Sequence, residues 1–170
     1  YVEHAKESNF AVPDTFPPDV ARGAKLFGFG SGFGDVGAYT DDGSQYVEMW
    51  GGLTPTFWDY TSLAAGASVT WDEFWYVLSG SGGPSLATKD VALAVTREGD
   101  ALRVVVAAPR PFRGRLLVVQ GDRELLREEL AVRPDALHNT VCDDIAWNSE
   151  ARPIVRVVDL EGRVIASYEV

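Results

Sequence analysis

A chain of 170 residues with 46% hydrophobic and 24% charged residues has globular composition, which excludes wholesale disorder. No stretch approaches the ~20 apolar residues that cross a bilayer as a helix, so no membrane span is expected. A formal charge of −10 argues against a nucleic-acid partner, because phosphate binding needs clustered Lys and Arg, and acidity of this size mostly serves solubility.

In chain order, residues 1–16 show no clear period and read as an irregular or edge segment. Pro17-Pro18-Asp19 leading into residues 20–23 predicts one short helical turn, with proline near its start. Residues 38–40, the Asp41-Asp42-Gly43 turn and residues 45–50 predict a hairpin. Residues 68–78 predict one long aromatic strand. The run Ser79-Gly80-Ser81-Gly82-Gly83-Pro84 then punctuates the chain.

Composition changes at that run. Residues 1–84 hold 16 of the 19 aromatic residues and 13 of the 17 glycines, with three basic residues against eleven acids, a balance of −8. Residues 85–170 balance at −2 and are rich in Val, Leu and Arg. Two domains are therefore expected, 1–84 and 85–170.

The second half reads as consecutive antiparallel hairpins. Residues 91–96 and 101–107 flank a four-residue connection, Arg97-Glu98-Gly99-Asp100. Residues 115–120 and 123–132 flank Gly121-Asp122, and residues 154–160 and 163–170 flank Glu161-Gly162. Propensity alone allows a helix over 124–130. A β-turn opens that segment and residues 131–134 continue it, so a strand is the preferred reading. About seven strands at short intervals fit a small immunoglobulin-like sandwich. The fold class is all-β.

Few motifs survive their ordinary explanations. Gly32-Phe33-Gly34-Asp35-Val36-Gly37 matches a dinucleotide fingerprint, but strand and turn residues follow it where a helix N-terminus is required. Cofactor binding is thus not expected. The pairs Asp41-Asp42 and Asp143-Asp144 lack the spacing of a calcium loop, and His4 and His138 lie in different halves, so no metal site is expected. Cys142 is alone, which rules out an internal disulfide, and reads as a buried small hydrophobe. The chain opens at Tyr1 with neither an initiator methionine nor a signal segment, as a processed precursor or an excised fragment would, and a fragment is favoured.

Glu48 lies in a strand-like run bordered by Tyr46 and Trp50, which share its face by alternation. Aromatic rings stack on the C–H faces of a pyranose while a carboxylate accepts hydroxyl protons, so the arrangement suits a saccharide. The alternative is a solvent-facing or salt-bridged glutamate on an edge strand. Trp50, Trp58 and Tyr60 are the candidate stacking or wall residues.

Lys25-Leu26-Phe27-Gly28-Phe29-Gly30, Tyr46-Val47-Glu48-Met49-Trp50-Gly51-Gly52, Phe57-Trp58-Asp59-Tyr60, Leu63-Ala64-Ala65-Gly66 and Glu73-Phe74-Trp75-Tyr76-Val77 follow one another in a recognisable order. Over about 24–83 the chain resembles the closing part of a galactose-mutarotase-like domain, in the domain-of-unknown-function 5107 group. The resemblance implies a partial β-supersandwich-like N-terminal half. It also implies that Glu48 stands where aldose 1-epimerases keep the general base that takes the anomeric hydroxyl proton. Their general-acid histidine lies far upstream, and His4 does not match it. Without that acid and most of the pocket, the chain is not expected to epimerise sugars alone.

The resulting expectation is a carbohydrate-recognition portion of a larger protein. It would take a saccharide and associate with another polypeptide or with a missing N-terminal part. A mutarotase-like or lyase-like enzyme and a structural or protein-interaction β module are the two alternatives.

Overall fold

The computed structural model describes residues 2–3, 10–12, 14–15, 17, 19–23, 25–28 and 47–170. Among the described residues there is no helix, and the protein is all-β. The strands are β1 (Val2–Glu3), β2 (Phe10–Val12), β3 (Asp14–Thr15), β4 (Lys25–Gly28), β5 (Val47–Trp50), β6 (Phe74–Trp75), β7 (Leu78–Ser79) and β8 (Leu86–Ala87). They continue with β9 (Ala92–Glu98), β10 (Ala101–Ala107), β11 (Phe112–Gln120), β12 (Arg123–Val132), β13 (His138–Cys142), β14 (Pro153–Asp159) and β15 (Val164–Glu169). The chain divides into one compact unit made of Tyr1–Thr15 with Trp75–Val170, and a second made of Phe16–Phe74.

The first unit is built on two four-stranded antiparallel sheets, ordered β13-β10-β9-β8 and β12-β11-β14-β15. Alternation explains the core between them. Leu102, Val104 and Val106 of β10, Leu116 and Val118 of β11, and Val155 and Val157 of β14 sit at every second position and are fully buried in one cluster. Removing each such side chain from water stabilises the fold by about 1.5–3 kcal/mol before entropy is counted. The sequence-predicted hairpins are present. The first is tighter than expected, because β9 runs on to Glu98 and only Gly99-Asp100 connects it to β10. Residues 124–130 lie in β12, paired along β11, so ladder hydrogen bonds override local helix propensity.

The outer face of the first sheet is also covered. Ala92 and Ala107 are small and buried beneath Leu78, with Tyr76, Ala87 and Leu137 packed around them. This second layer explains why Ala92 and Ala107 are apolar although their neighbours Leu93 and Val106 belong to the main core. The Tyr76 hydroxyl donates to the Thr88 carbonyl at 2.6 Å and the Val91 carbonyl at 3.3 Å, tying the chain to the turn before β9. Burial, reinforced by the Asp90 charge, pushes the phenol pKa well above its ordinary value and keeps it a donor. Residues 75–78 therefore pack with the sandwich although they precede the compositional break at 79–84.

One expectation needs correction. Residues 68–78 do not form one strand: only β6 and β7 are extended, and 68–73 form no ladder. The Glu73 carboxylate accepts the Gly51 N–H at 3.0 Å, which turns this stretch to loop bonding. The single turn expected after Pro17 is present. The N–H groups of Val20 and Ala21 both donate to the Pro17 carbonyl, and the next N–H, of Arg22, leaves for the Gly52 carbonyl at 2.8 Å. The first segment holds the short strands β1, β2 and β3. The Gly32–Gly37 motif, the 38–45 part of the predicted hairpin, Asp41, Asp42, Tyr46 and His4 lie outside the described residues.

Candidate functional site

Within the Phe16–Phe74 unit, β4 and β5 pair antiparallel, with Phe27 opposite Glu48, Leu26 opposite Met49 and Lys25 opposite Trp50. Met49 is buried and Glu48 is half-buried, as alternation along β5 requires for residues on opposite faces. Trp50 closes β5. The predicted carboxylate is thus carried on a paired strand, which fixes its backbone better than a loop would.

Trp58 and Tyr60 sit on the loop that follows. One Asp59 carboxylate oxygen accepts both the Thr56 N–H at 3.0 Å and the Thr56 hydroxyl at 2.8 Å. The same hydroxyl accepts the Trp58 N–H at 3.2 Å, and the Thr54 hydroxyl donates to the Thr56 carbonyl at 3.1 Å. These bonds satisfy the turn locally, so its conformation does not depend on burying its side chains. Trp58 is accordingly 85% exposed and Tyr60 95% exposed, on either side of Asp59. Gly23 has a matching role: a Cβ there would meet the carbonyl oxygens of Thr54 and Pro55, so glycine allows the backbone to approach the loop closely.

Sequence reasoning picked out Trp58 and Tyr60 but not Thr56 and Asp59, the pair that holds them. The Thr-x-x-Asp spacing was the available signal, since a side chain three residues on can close a local hydrogen-bonded box. Two rings flanking a carboxylate on a constrained turn can stack on a sugar ring and accept its hydroxyl protons. Four residues, Glu48, Trp50, Trp58 and Tyr60, share one unit; the strand carries the first pair and the loop the second.

The other candidates resolve into structural roles. His138 Nε2 lies 2.7 Å from Glu128 Oε2, and the Thr140 hydroxyl donates to Glu128 Oε1 at 2.9 Å. This carboxylate joins β12 of one sheet to β13 of the other. Cys142 is buried in the sandwich core, and burial pushes its thiol pKa up, away from nucleophilic reactivity. Asp143 and Asp144 are exposed.

Residues 86–168 match the family described as YphG-like protein, second domain. No curated protein and no solved structure matches the chain.

Proposed function

We propose that this chain is the carbohydrate-recognising portion of a larger protein and is not catalytic alone. The observation that carries the reading is the exposure of Trp58 and Tyr60 on a turn locked by Asp59 and Thr56. A soluble protein seldom holds two large rings rigidly in solvent without a ligand for them. Rigid rings bind with little loss of side-chain entropy, and their apolar faces suit the C–H faces of a pyranose. Glu48 supplies the hydroxyl acceptor in the same unit, in keeping with the likeness of residues 24–83 to a galactose-mutarotase-like domain.

The matched family is described as the second domain of a YphG-like protein, which supports reading residues 85–170 as one module among several. The strand orders β13-β10-β9-β8 and β12-β11-β14-β15 support an accessory immunoglobulin-like sandwich there. Calorimetric titration of the full-length polypeptide against a saccharide panel tests the reading. Trp58→Ala and Tyr60→Ala are each expected to weaken binding roughly tenfold, the value of one lost aromatic stack. Absence of binding by every saccharide overturns it.

The half-burial of Glu48 on a paired strand favours a second reading, a mutarotase-like or lyase-like activity of the complete protein. In that case Glu48 takes a proton as general base. Glu48→Gln then abolishes turnover while leaving saccharide binding largely intact, and unchanged turnover rules this reading out.

A further inference from the structure

The two sheets of the sandwich differ on their outer faces. That of β13-β10-β9-β8 is covered from within the chain, where Leu78 and Tyr76 pack over Ala92 and Ala107. That of β12-β11-β14-β15 carries long side chains instead. Leu116, Val118, Val155 and Val157 point into the core, so alternation turns Arg113, Arg115, Leu117 and Val119 of β11 outward, with Ile154 and Arg156 of β14. The ladder keeps the two strands in step: Leu117 stands opposite Arg156, and Val119 opposite Ile154. Arg113 is exposed and the other five are half-buried.

The three arginines have no ion pair and no hydrogen-bond partner for their guanidinium groups among the described residues. By contrast, Arg103, Arg110, Arg127, Arg133, Arg152 and Arg163 each face a carboxylate. Arg113 and Arg115 are two residues apart on one strand, about 6.7 Å, and Arg156 lies diagonally across the ladder from Arg115, about 7–8 Å away. Glu124 and Glu169 flank this face but are taken by Arg127 and Arg152. That leaves Glu129, opposite Arg115, as the one carboxylate without an ion pair here among the described residues. Three guanidinium groups against one carboxylate make a positive face on a chain of charge −10.

The side chains between the charges decide the class of partner. Nucleic acids and acidic polysaccharides offer charge without aliphatic groups to cover Leu117, Val119 and Ile154, and as polyanions they are repelled by the net charge. An acidic polypeptide surface supplies both carboxylates and aliphatic side chains, and arginine is the cation suited to pairing in such an interface. Area narrows the source. Four strands of six to ten residues give a face of about 500 Å², at about 3.3 Å per residue and about 4.8 Å between strands. Covering it buries about 1,000 Å² in all, which suits contacts between domains of one polypeptide and falls short of the ~1,600 Å² usual between free proteins. A tethered domain needs less area, because the tether raises its effective concentration.

We infer that the outer face of β12-β11-β14-β15 docks another domain of the longer polypeptide, one that sets carboxylates against Arg113, Arg115 and Arg156 and aliphatic side chains against Leu117, Val119 and Ile154. The inference rests on the chain being one part of a larger protein. It uses no residue of the Trp58–Tyr60 loop, so it can fail while saccharide binding stands.

Phenylglyoxal labelling of arginines, read by mass spectrometry in the full-length polypeptide and in the 170-residue chain, provides the test. Arg123 is the internal control, since it is exposed and stands opposite Gln120, off this face. Arg113, Arg115 and Arg156 are expected to react several-fold more slowly in the full-length polypeptide than in the chain alone, with Arg123 unchanged. In full-length Arg113→Glu, at an exposed position where folding is not at stake, Arg115 and Arg156 are expected to regain the rates of the chain alone. Equal rates in the two polypeptides overturn the inference, and so does protection that persists undiminished in Arg113→Glu. Sodium polygalacturonate added to the chain alone separates the other source of carboxylates. Protection by it that exceeds protection in the full-length polypeptide overturns the docked domain in favour of an acidic polysaccharide.

Discussion

Gln120 and Asp159 are the buried polar side chains among the described residues, and each offsets its desolvation differently. Gln120 does so with neutral hydrogen bonds across the 146–151 loop. Gln120→Leu keeps the volume but leaves the Ala146 N–H and the carbonyls of Ala146 and Ala151 to find new partners. A loss of about 1–3 kcal/mol is expected, seen as a lower urea midpoint with an unchanged slope. Asp159 relies on charge. Burial alone would raise its pKa, but the Arg163 backbone N–H at 2.8 Å and the Arg163 guanidinium at 2.6 Å outweigh it and hold the carboxyl below its ordinary 3.8. A lowered folded pKa means that the unfolded chain binds more protons near that pH, so stability rises with pH there. The Asp159 contribution is complete above the ordinary carboxylate range and is lost as pH falls through the folded value. Thermal melts between roughly pH 5 and pH 2 should therefore fall less steeply for Asp159→Asn than for the natural chain. Equal slopes would remove Asp159 as a source of acid sensitivity.

At the scale of elements, the β9–β10 hairpin depends on Gly99, whose φ of +64° lies in the left-handed region. A side chain there costs about 1–2 kcal/mol, and nothing lies within 4 Å of an added Cβ, so conformation is the whole effect. Gly99→Ala is expected to lower stability by that amount in denaturant melts, and Gly99→Asn by less, because asparagine tolerates this region. The same turn chemistry made most of residues 85–170 legible in the sequence: Gly99-Asp100, Gly121-Asp122 and Glu161-Gly162 each fall between extended pairs. The aromatic stretch 68–78 was misread because aromatic density signals a strand only where a neighbouring strand accepts its hydrogen bonds. Glu73 instead bonds the Gly51 N–H. In the candidate loop, Trp58 and Tyr60 were legible as residue types, while their exposure was not, since exposure depends on what the rest of the chain leaves uncovered. The partners of Gln120 gave no local signal at all. They reach it only because the 143–152 connection returns to the end of β11, a long-range event invisible to periodicity.

The charge and the exposed rings set the behaviour of the molecule as a whole. Phe57, Trp58, Tyr60, Leu63, Val69 and Phe74 are all exposed within the Phe16–Phe74 unit. Each square ångström of apolar surface left in water forgoes about 25 cal/mol, so covering these side chains is favourable. Residues 1–84 carry a balance of −8, and two such halves repel one another when brought together. A second polypeptide without that acidity avoids the repulsion, and another copy does not. Salt separates the two cases, because the screening length shrinks from about 30 Å at 0.01 M to about 8 Å at 0.15 M. Purified material is therefore expected to exceed the 18.5 kDa of a single chain by light scattering. At low salt the excess should come from a companion polypeptide that remains visible after denaturation. In material lacking a companion, self-association should rise as salt is added. A single species of monomer mass at both ionic strengths would contradict both forms of association. It would leave Trp58 and Tyr60 open to solvent in the working molecule, with a small ligand as the partner that covers them.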